Sequence, residues 1–418
     1  MSRYDVLIAG GGASGLMCAV QAARRGLSCA VIEKKDRCGI KLSITGKGRC
    51  NVTNDSDNEN IMKNIPRNPK FMYSALEGFS SADTKAFFEA LGVPLKTERG
   101  NRVFPVSDNA HDIVNALTGE CRKLGVEFIR DEVRSVLAEN GRASGLMCSG
   151  GKYIASNVVI ACGGRSYPGT GSDGSGYEIA RSVGHTVTEI TPSLCPIVCK
   201  EQPECAEAMG LSLRNCTLYL YKEGKKKPVY SELGEMLFTH FGLSGPLVLS
   251  ASAHIDNLKK YGYTIKIDLK PGLDEAALDR RIVRDLTEFP NKELSNVLRK
   301  LLPAKLIPMV LSRAELDGTR QANSVTREER RRLLETVKGL SFTVSKMRPI
   351  DEAIITRGGV SVKEISPSTM ESKLCGGLYF IGEILDVDAY TGGYNLQIAF
   401  STANAAAKAI NSAKGELL

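Results

Sequence analysis

Apolar residues run without a polar break from Val6 to Ala9, within Tyr4–Ala9 (YDVLIA), the pattern of a short strand buried on both faces. Glycines follow at once. Leu16–Arg25 then places apolar residues at helical spacing, and Ser28–Ile32 is a second apolar run ending at Glu33. This succession predicts a βαβ unit. Farther along, Ser81–Leu91 and Asn109–Leu124 predict helices, the second through Ile113, Val114, Leu117 and Cys121. Val126–Ile129, Val133–Ala138 and Lys152–Ala161 predict strands, with a turn at Asn140-Gly141. From about residue 191 the texture changes: Thr217–Tyr221 and Val229–Glu232 flank Glu223-Gly224 and a lysine run as a hairpin does, and Ile265, Ile267 and Leu269 alternate with charged residues. Residues 272–335 read as helical, with Leu294, Val297, Leu298, Leu301 and Leu302 at helical spacing, a capping box at Thr326–Glu329 and a stop at Gly339. Gly377–Ile381 (GLYFI) predicts a buried strand. Gly392–Asn395 opens a helix reaching Ile410 that is rich in alanine.

The end of the chain thus returns to the style of its start. The predicted fold is a Rossmann-like α/β domain, residues 1–190 and 346–418, interrupted by a β subdomain (191–271 and 336–345) and a helical subdomain (272–335). A length of 418 residues suits two or three domains, and 42% hydrophobic with 24% charged residues is ordinary for a globular chain. The net charge is +8, with basic residues dispersed and no aromatic-plus-basic pattern, so no nucleic-acid partner is expected. Arg330-Arg331-Arg332 reads as a solvated helix face. The first strand begins too close to Met1 for a secretory signal, and no apolar run is long enough to span a bilayer. These features predict a cytoplasmic protein without a membrane partner. Its twelve cysteines are then reduced thiols, and with no C-x-x-C pair no metal site is expected.

The chemistry begins at Gly10-Gly11-Gly12-Ala13-Ser14-Gly15, a G-x-G-x-x-G turn between strand and helix. Gly10 makes the turn, Gly12 admits a pyrophosphate, and Gly15 lets the helix pack on the strand. Ala13 and Ser14 lie at a helix N-terminus suited to an anion. Glu33, with Lys34 beside it, is placed to accept ribose hydroxyls and to repel a 2′-phosphate. Two further segments favour FAD over a nicotinamide as resident cofactor. Val158–Gly164 (VVIACGG) ends a strand in small residues, Ala161, Gly163 and Gly164. Leu378–Glu383 ends another in Gly382 and an acid, Glu383, ahead of a helix opening at Gly393, Tyr394, Asn395, Leu396 and Gln397; this order resembles that of two-dinucleotide-binding-domain flavoproteins, which implies a helix dipole aimed at the flavin ring. With a single G-x-G-x-x-G, NADH or NADPH is expected only as a transient reductant. In the polar stretch Cys38–Asn54, Lys41 and Arg49 are candidates for phosphate, Gly46 and Gly48 for close backbone approach, and Asn51 and Asn54 for the ring edge. Cys50 lies among them, and its distance from Cys38 argues against a redox disulfide. Val133 is expected to contact adenine through its backbone.

Three residues are candidates for catalysis. His240, in a glycine-punctuated turn (LFTHFGLSGP), is a proton donor or a hydrogen-bonded anchor of that turn. Arg357 binds an anion or forms a structural ion pair. Tyr390 faces the flavin as a proton donor or packs its loop. His111, His185 and His254 read as surface residues.

The stretches IAGGGASGLMCA, KLSITGKGRCNVTN, GEMLFTHFGLSGP, TRGGV and GLYFIGEILDVDAYTGGYNLQIAFSTA resemble the BaiN/YhiN-type family of bacterial FAD flavoproteins. The resemblance implies a glutathione-reductase-like FAD domain interrupted by a partly open β-barrel and a helical subdomain. It also implies, for one branch, reduction of 3-oxo-Δ4 or Δ4,6 steroids on the bile-acid route. The expected reaction is hydride transfer from NAD(P)H through flavin N5 to the β-carbon of a conjugated enone, with His240 or Tyr390 protonating the α-carbon. The expected substrate is a small molecule, a steroid or bile-acid thioester. Two rival expectations are an oxygen-using oxidase of amines or aminoketones, and a flavin-containing RNA-binding or RNA-modifying protein gripping phosphates with Arg280, Arg281, Arg284 and Arg330 to Arg332.

Overall fold

A computed structural model describes residues 3–411. Its contacts separate into two units: the described residues up to Ser193 together with those from Ile350 onward, and Leu194–Pro349.

The first unit is built on β1 (Arg3–Ala9), α1 (Ala13–Arg24) and β2 (Cys29–Glu33). β1 pairs in parallel with β2 on one edge and with Gly151–Ile160 on the other. Val6, Leu7, Ile8 and Ala9 are all fully buried, as a parallel strand covered on both faces requires. Glu127–Arg130 extends the sheet beyond β2. Gly151–Ile160 divides its far edge between two partners. Its first residues pair with the antiparallel hairpin of Val133–Glu139 and Arg142–Cys148, while Val158–Ile160 pair in parallel with Leu378–Phe380. The last described strand therefore completes the sheet that the first began. The closing helix, Tyr394–Ala409, packs beside α1. Ala403, Ala406 and Ala407 are buried in it, and Phe400 meets Phe88 edge-on at 5.5 Å.

The stretch after β2 is not a loop throughout. Ile40–Gly48 is helical, broken at Thr45–Lys47 where Gly46 and Lys47 turn left-handed, and Thr53–Asn54 forms a strand. That strand pairs with Arg102–Pro105, which pairs in turn with Leu95–Glu98. A two-residue strand carries no periodicity; a partner some fifty residues away (Thr53 opposite Val103) creates it.

The second unit contains a closed six-stranded barrel: Ile197–Cys199, Gly242–Ser244, Tyr230–Thr239, Ser212–Lys222, Tyr263–Asp268 and Leu340–Met347. Leu218, Leu220, Phe238, Ile265, Ile267 and Phe342 are buried in it. A partly open barrel was implied; here the short strand Ile197–Cys199 bonds to both Gly242–Ser244 and Leu340–Met347 and closes the ring. Between the last two strands lie the helices Glu275–Glu288, Leu294–Leu298, Ile307–Arg313 and Arg327–Lys338. The last starts in the expected capping box, Thr326 and Glu329 each bonding the other's backbone N–H, and ends before Gly339.

Candidate dinucleotide site

In the first unit a cavity runs along the carboxyl ends of the parallel strands, where open α/β sheets place their ligands. β1 delivers Gly10 to Ser14, β2 delivers Glu33 and Lys34, Gly151–Ile160 delivers Ala161 to Gly163, and Leu378–Phe380 leads to Glu383. Gly10 has φ +105°, and a Cβ there would meet the Ala161 carbonyl oxygen at 2.6 Å. A Cβ on Gly15 would overlap the Gly10 carbonyl oxygen. Both glycines are therefore required by the protein's own packing. Gly12 differs: a Cβ there meets nothing within 4 Å and points into open space at the uncapped N-terminus of α1. That is the opening an anion needs.

Glu33 turns back on the turn it follows, accepting hydrogen bonds from the N–H groups of Gly11 (2.8 Å) and Lys35 (2.9 Å). Lys34 donates to Asp173 at 2.6 Å. Burial opposes charge on Asp173, but the bonds from Lys34 and Ser175 outweigh it and hold the carboxyl at about 2. Lys41 bridges distant segments, donating to Glu383 and to Ser166, each at 2.7 Å. Glu383 also accepts from Ser166 Oγ (3.1 Å) and the Thr356 N–H (3.0 Å). Ser172, also in the wall, is buried with its hydroxyl oxygen unpartnered.

Of the residues expected at a cofactor, Gly10, Gly12, Ala13, Ser14, Glu33, Lys34, Lys41, Val133, Ala161, Gly163, Glu383, Asn395 and Leu396 line this cavity. The others lie behind it or elsewhere. Gly164 is packed on Thr356 and Glu383, and Gly382 on Ser14, where a Cβ would approach Oγ to 2.6 Å. Gly46 and Gly48 serve the left-handed turns in the broken helix, and Cys50 is buried. Asn51 is half-buried with its Oδ1 unpartnered. Arg49 is spent on Asp108 (2.8 Å) and Glu98 and stacks on Phe104. Asn54 donates to the carbonyls of Gly100 and Gly392, each at 3.0 Å. Gly393 presses on the Thr53 carbonyl, Tyr394 is buried, and Gln397 is consumed in the core by Thr53, Thr84, Ser401 and the Phe79 carbonyl. Thr45, Thr170, Ser172, Ile354 and Ile355 also line the cavity and carry no sequence signal.

Tyr390 is half-buried, its N–H bonded to the Asn64 carbonyl (3.0 Å). Arg357 pairs with Thr191 through the strand Ile355–Arg357, and its charge acts on Asp388. His240 is exposed at a strand turn of the second unit, edge-on to Phe241. His185, read as a surface residue, is buried: its ring bridges Glu364 (3.1 Å) and Ser372 (2.7 Å), and burial pushes its pKa below the ordinary value. Both partners lie far along the chain, which the sequence pattern could not reveal. Cys162 also faces the cavity and Cys38 packs behind Gly11, with burial pushing each thiol up to about 12, and all twelve cysteines are free.

The open cradle at Gly12, the acid ending β2, the orphaned Ser172 hydroxyl and the continuous wall from Glu33 to Asn395 fit a dinucleotide lying across the sheet. They define an FAD-dependent oxidoreductase. The chain belongs to the family described as HI0933-like protein Rossmann domain, which matches residues 4–409. It is 32% identical over 413 residues to the 3-dehydro-bile acid delta(4,6)-reductase of Clostridium scindens, covering 98% of this chain and 99% of that one. It is 33% identical over 417 residues to the ribosomal RNA dihydrouridine synthase of Haemophilus influenzae, covering 98% and 100%. Among solved structures, 3-ketosteroid delta1-dehydrogenase from Sterolibacterium denitrificans matches with a TM-score of 0.53 at 13% identity, covering 98% of this chain and 99% of that one, a likeness of fold. No described helix is long and apolar enough to cross a membrane.

Proposed function

We propose that this protein is a reductase of carbon–carbon double bonds conjugated to a carbonyl, with NADH or NADPH as reductant. The two full-length relatives are named for different molecules, but the bonds are alike. A 3-oxo-Δ4,6 steroid and the C5=C6 bond of uracil are both alkenes polarised by a carbonyl, and each is saturated by a hydride at one carbon and a proton at the other. The observation that carries the reading is the cavity along the strand ends together with a single G-x-G-x-x-G turn, which leaves room for one resident dinucleotide. Bound there, FAD supplies the hydride relay. The chain itself supplies pyrophosphate binding at Gly12 and the acid that delivers the proton, for which His240 and Tyr390 are the candidates, with Arg357 as an anchor for an anionic substrate. A 3-oxo-Δ4 or Δ4,6 bile-acid steroid is the first substrate to try. Anaerobic addition of NADH or NADPH to the purified yellow protein should bleach the flavin, and the enone should restore it. Bleaching by neither nicotinamide, or peroxide release with an amine under air, overturns the reading in favour of an oxidase.

A second reading, a uracil base within RNA, is favoured by one feature of the barrel unit. Lys222 lies 3.6 Å from the ring centre of Tyr261, Lys260 lies 5.2 Å from the same ring, and Lys266 lies 5.3 Å from that of Tyr221, next to the run Lys225–Lys227. Lys222 is itself held by Asp256 at 2.9 Å, so the exposed Lys260 and Lys266 are the cations this feature offers beside aromatic rings. The helical arginines are less suited: Arg281 is held by Asp285, Arg330 by Asp279 and Arg331 by Glu335. Salt-dependent retention of transcribed ribosomal RNA, lost in a Lys260→Ala/Lys266→Ala variant, would select this substrate; no retention at low salt would remove it.

A further inference from the structure

The loop Asp386–Tyr390 carries two buried carboxyl groups that stand outside the lining of the cavity. Asp386 and Asp388 are 6% and 2% exposed, and they flank Val387, which lines the cavity. The loop is tied to a distant segment: Asn68 Nδ2 donates to the Asp386 carbonyl (2.7 Å) and the Tyr390 N–H to the Asn64 carbonyl (3.0 Å). That segment brings Arg67 between the two acids, its Nη1 3.5 Å from Asp386 Oδ1 and its Nε 3.6 Å from Asp388 Oδ1. Neither distance comes with hydrogen-bond geometry, and both Oδ1 atoms are buried without a hydrogen-bond partner. Asp388 Oδ2 accepts one bond, from Ser193 Oγ at 2.9 Å. Arg357 also acts on Asp388, favouring its charge, while Asp386 opposes it. On the other side, the charge of Asp386 reaches the buried Tyr177.

Two carboxylates a residue apart, buried and without hydrogen bonds to their inner oxygens, are poorly compensated by an arginine at ion-pair distance. A proton on one of them removes the repulsion and turns an unsatisfied acceptor into a hydroxyl. We propose that Asp388 holds a proton at neutral pH and is the store from which the wall of the cavity draws the proton that accompanies each hydride. This rests on the reductase reading. When the hydride joins the β-carbon, the α-carbon takes up one proton. The store gives up its own, leaving a carboxylate opposite Arg67 and Ser193, and is refilled from water. Burial is the largest influence on Asp388 and raises its pKa, in the same direction. Tyr390 stands two residues along the loop.

The first test does not require turnover. Infrared spectra of the FAD-loaded protein at pH 7 should show the carbonyl stretch of a protonated carboxyl group, absent from Asp388→Asn and kept in Asp386→Asn. If Asp388→Asn does not fold, Ser193→Ala removes the bond to Oδ2 and should shift the same band to higher frequency. A wild-type spectrum without the band, or a band unmoved by Asp388→Asn and Ser193→Ala, overturns the proposal. The second test is reoxidation of the dithionite-reduced enzyme by a simple enone such as 2-cyclohexenone. Asp388→Asn should slow it at least tenfold and abolish a solvent deuterium effect present in the wild type; an unchanged rate and isotope effect overturn the role. If wild-type enzyme is not reoxidised by any enone, the reductase reading fails, while the carboxyl band still decides whether the proton is stored.

Discussion

Gly12→Ala separates what the glycine turn does for the fold from what it does for the cofactor. Gly12 has φ −82° and ψ −168°, backbone that alanine adopts freely, and its Cβ would meet no atom within 4 Å. The apoprotein should therefore lose nothing. By narrowing the unfolded ensemble, the substitution should stabilise it by about 0.4–1 kcal/mol. That is a rise of about 1–4 °C in Tm. The same methyl group occupies the approach to the α1 N-terminus, where a pyrophosphate oxygen would take its hydrogen bonds. Loss of one charge-assisted bond costs about 1.5–3 kcal/mol. FAD affinity should then fall about 10- to 100-fold. Gly15→Ala is the contrast. Its Cβ overlaps the Gly10 carbonyl oxygen, so the apoprotein itself should lose about 3 kcal/mol or fail to fold. Thermal melts without FAD, and quenching of flavin fluorescence on titration, measure the two quantities separately. Native FAD affinity in Gly12→Ala, or a destabilised apoprotein, would refute the assignment of this opening to the pyrophosphate.

Other consequences are as direct. His185 is held neutral by burial, its pKa below the ordinary 6.5, so its contribution is complete above that value and is lost as pH falls through it, when the unfolded chain takes up a proton that the folded one refuses; denaturant midpoints should drop on acidification below pH 6.5, and less steeply in His185→Gln. Phe400→Ala empties a fully buried site against Phe88 and should cost about 3–5 kcal/mol in urea unfolding. Iodoacetamide at neutral pH should leave the thiols of the native protein largely unmodified, because only Cys38 and Cys162 escape full burial and both are pushed up to about 12; rapid alkylation of either would contradict the packing around the turn.

The first βαβ unit was legible because every instruction in it is local. An unbroken apolar run, glycines where the backbone has no room for a Cβ, and an acid at the end of the next strand are all contained in Tyr4–Glu33. The C-terminal return was legible for the same reason: GLYFI and the alanine-rich helix announce a strand and a close-packed helix wherever they stand. The capping box at Thr326 and the stop at Gly339 are equally local. What the sequence could not settle was which polar residues face the cavity. Arg49 and Lys41 look interchangeable along the chain, yet Arg49 finds Glu98, Asp108 and Phe104, while Lys41 finds Glu383 and Ser166 in the cavity wall. Gln397 looks like a flavin ligand and is consumed by the core, and His185 looks solvated and is buried. Charge and hydrogen-bonding capacity belong to the residue. The partner that uses them belongs to the tertiary structure, because it is contributed by strands, turns and helices that only folding brings within bonding distance. The sequence by itself determined the sheet, its glycine turn and the kind of cofactor; only the fold decided which acids, cations and thiols surround it.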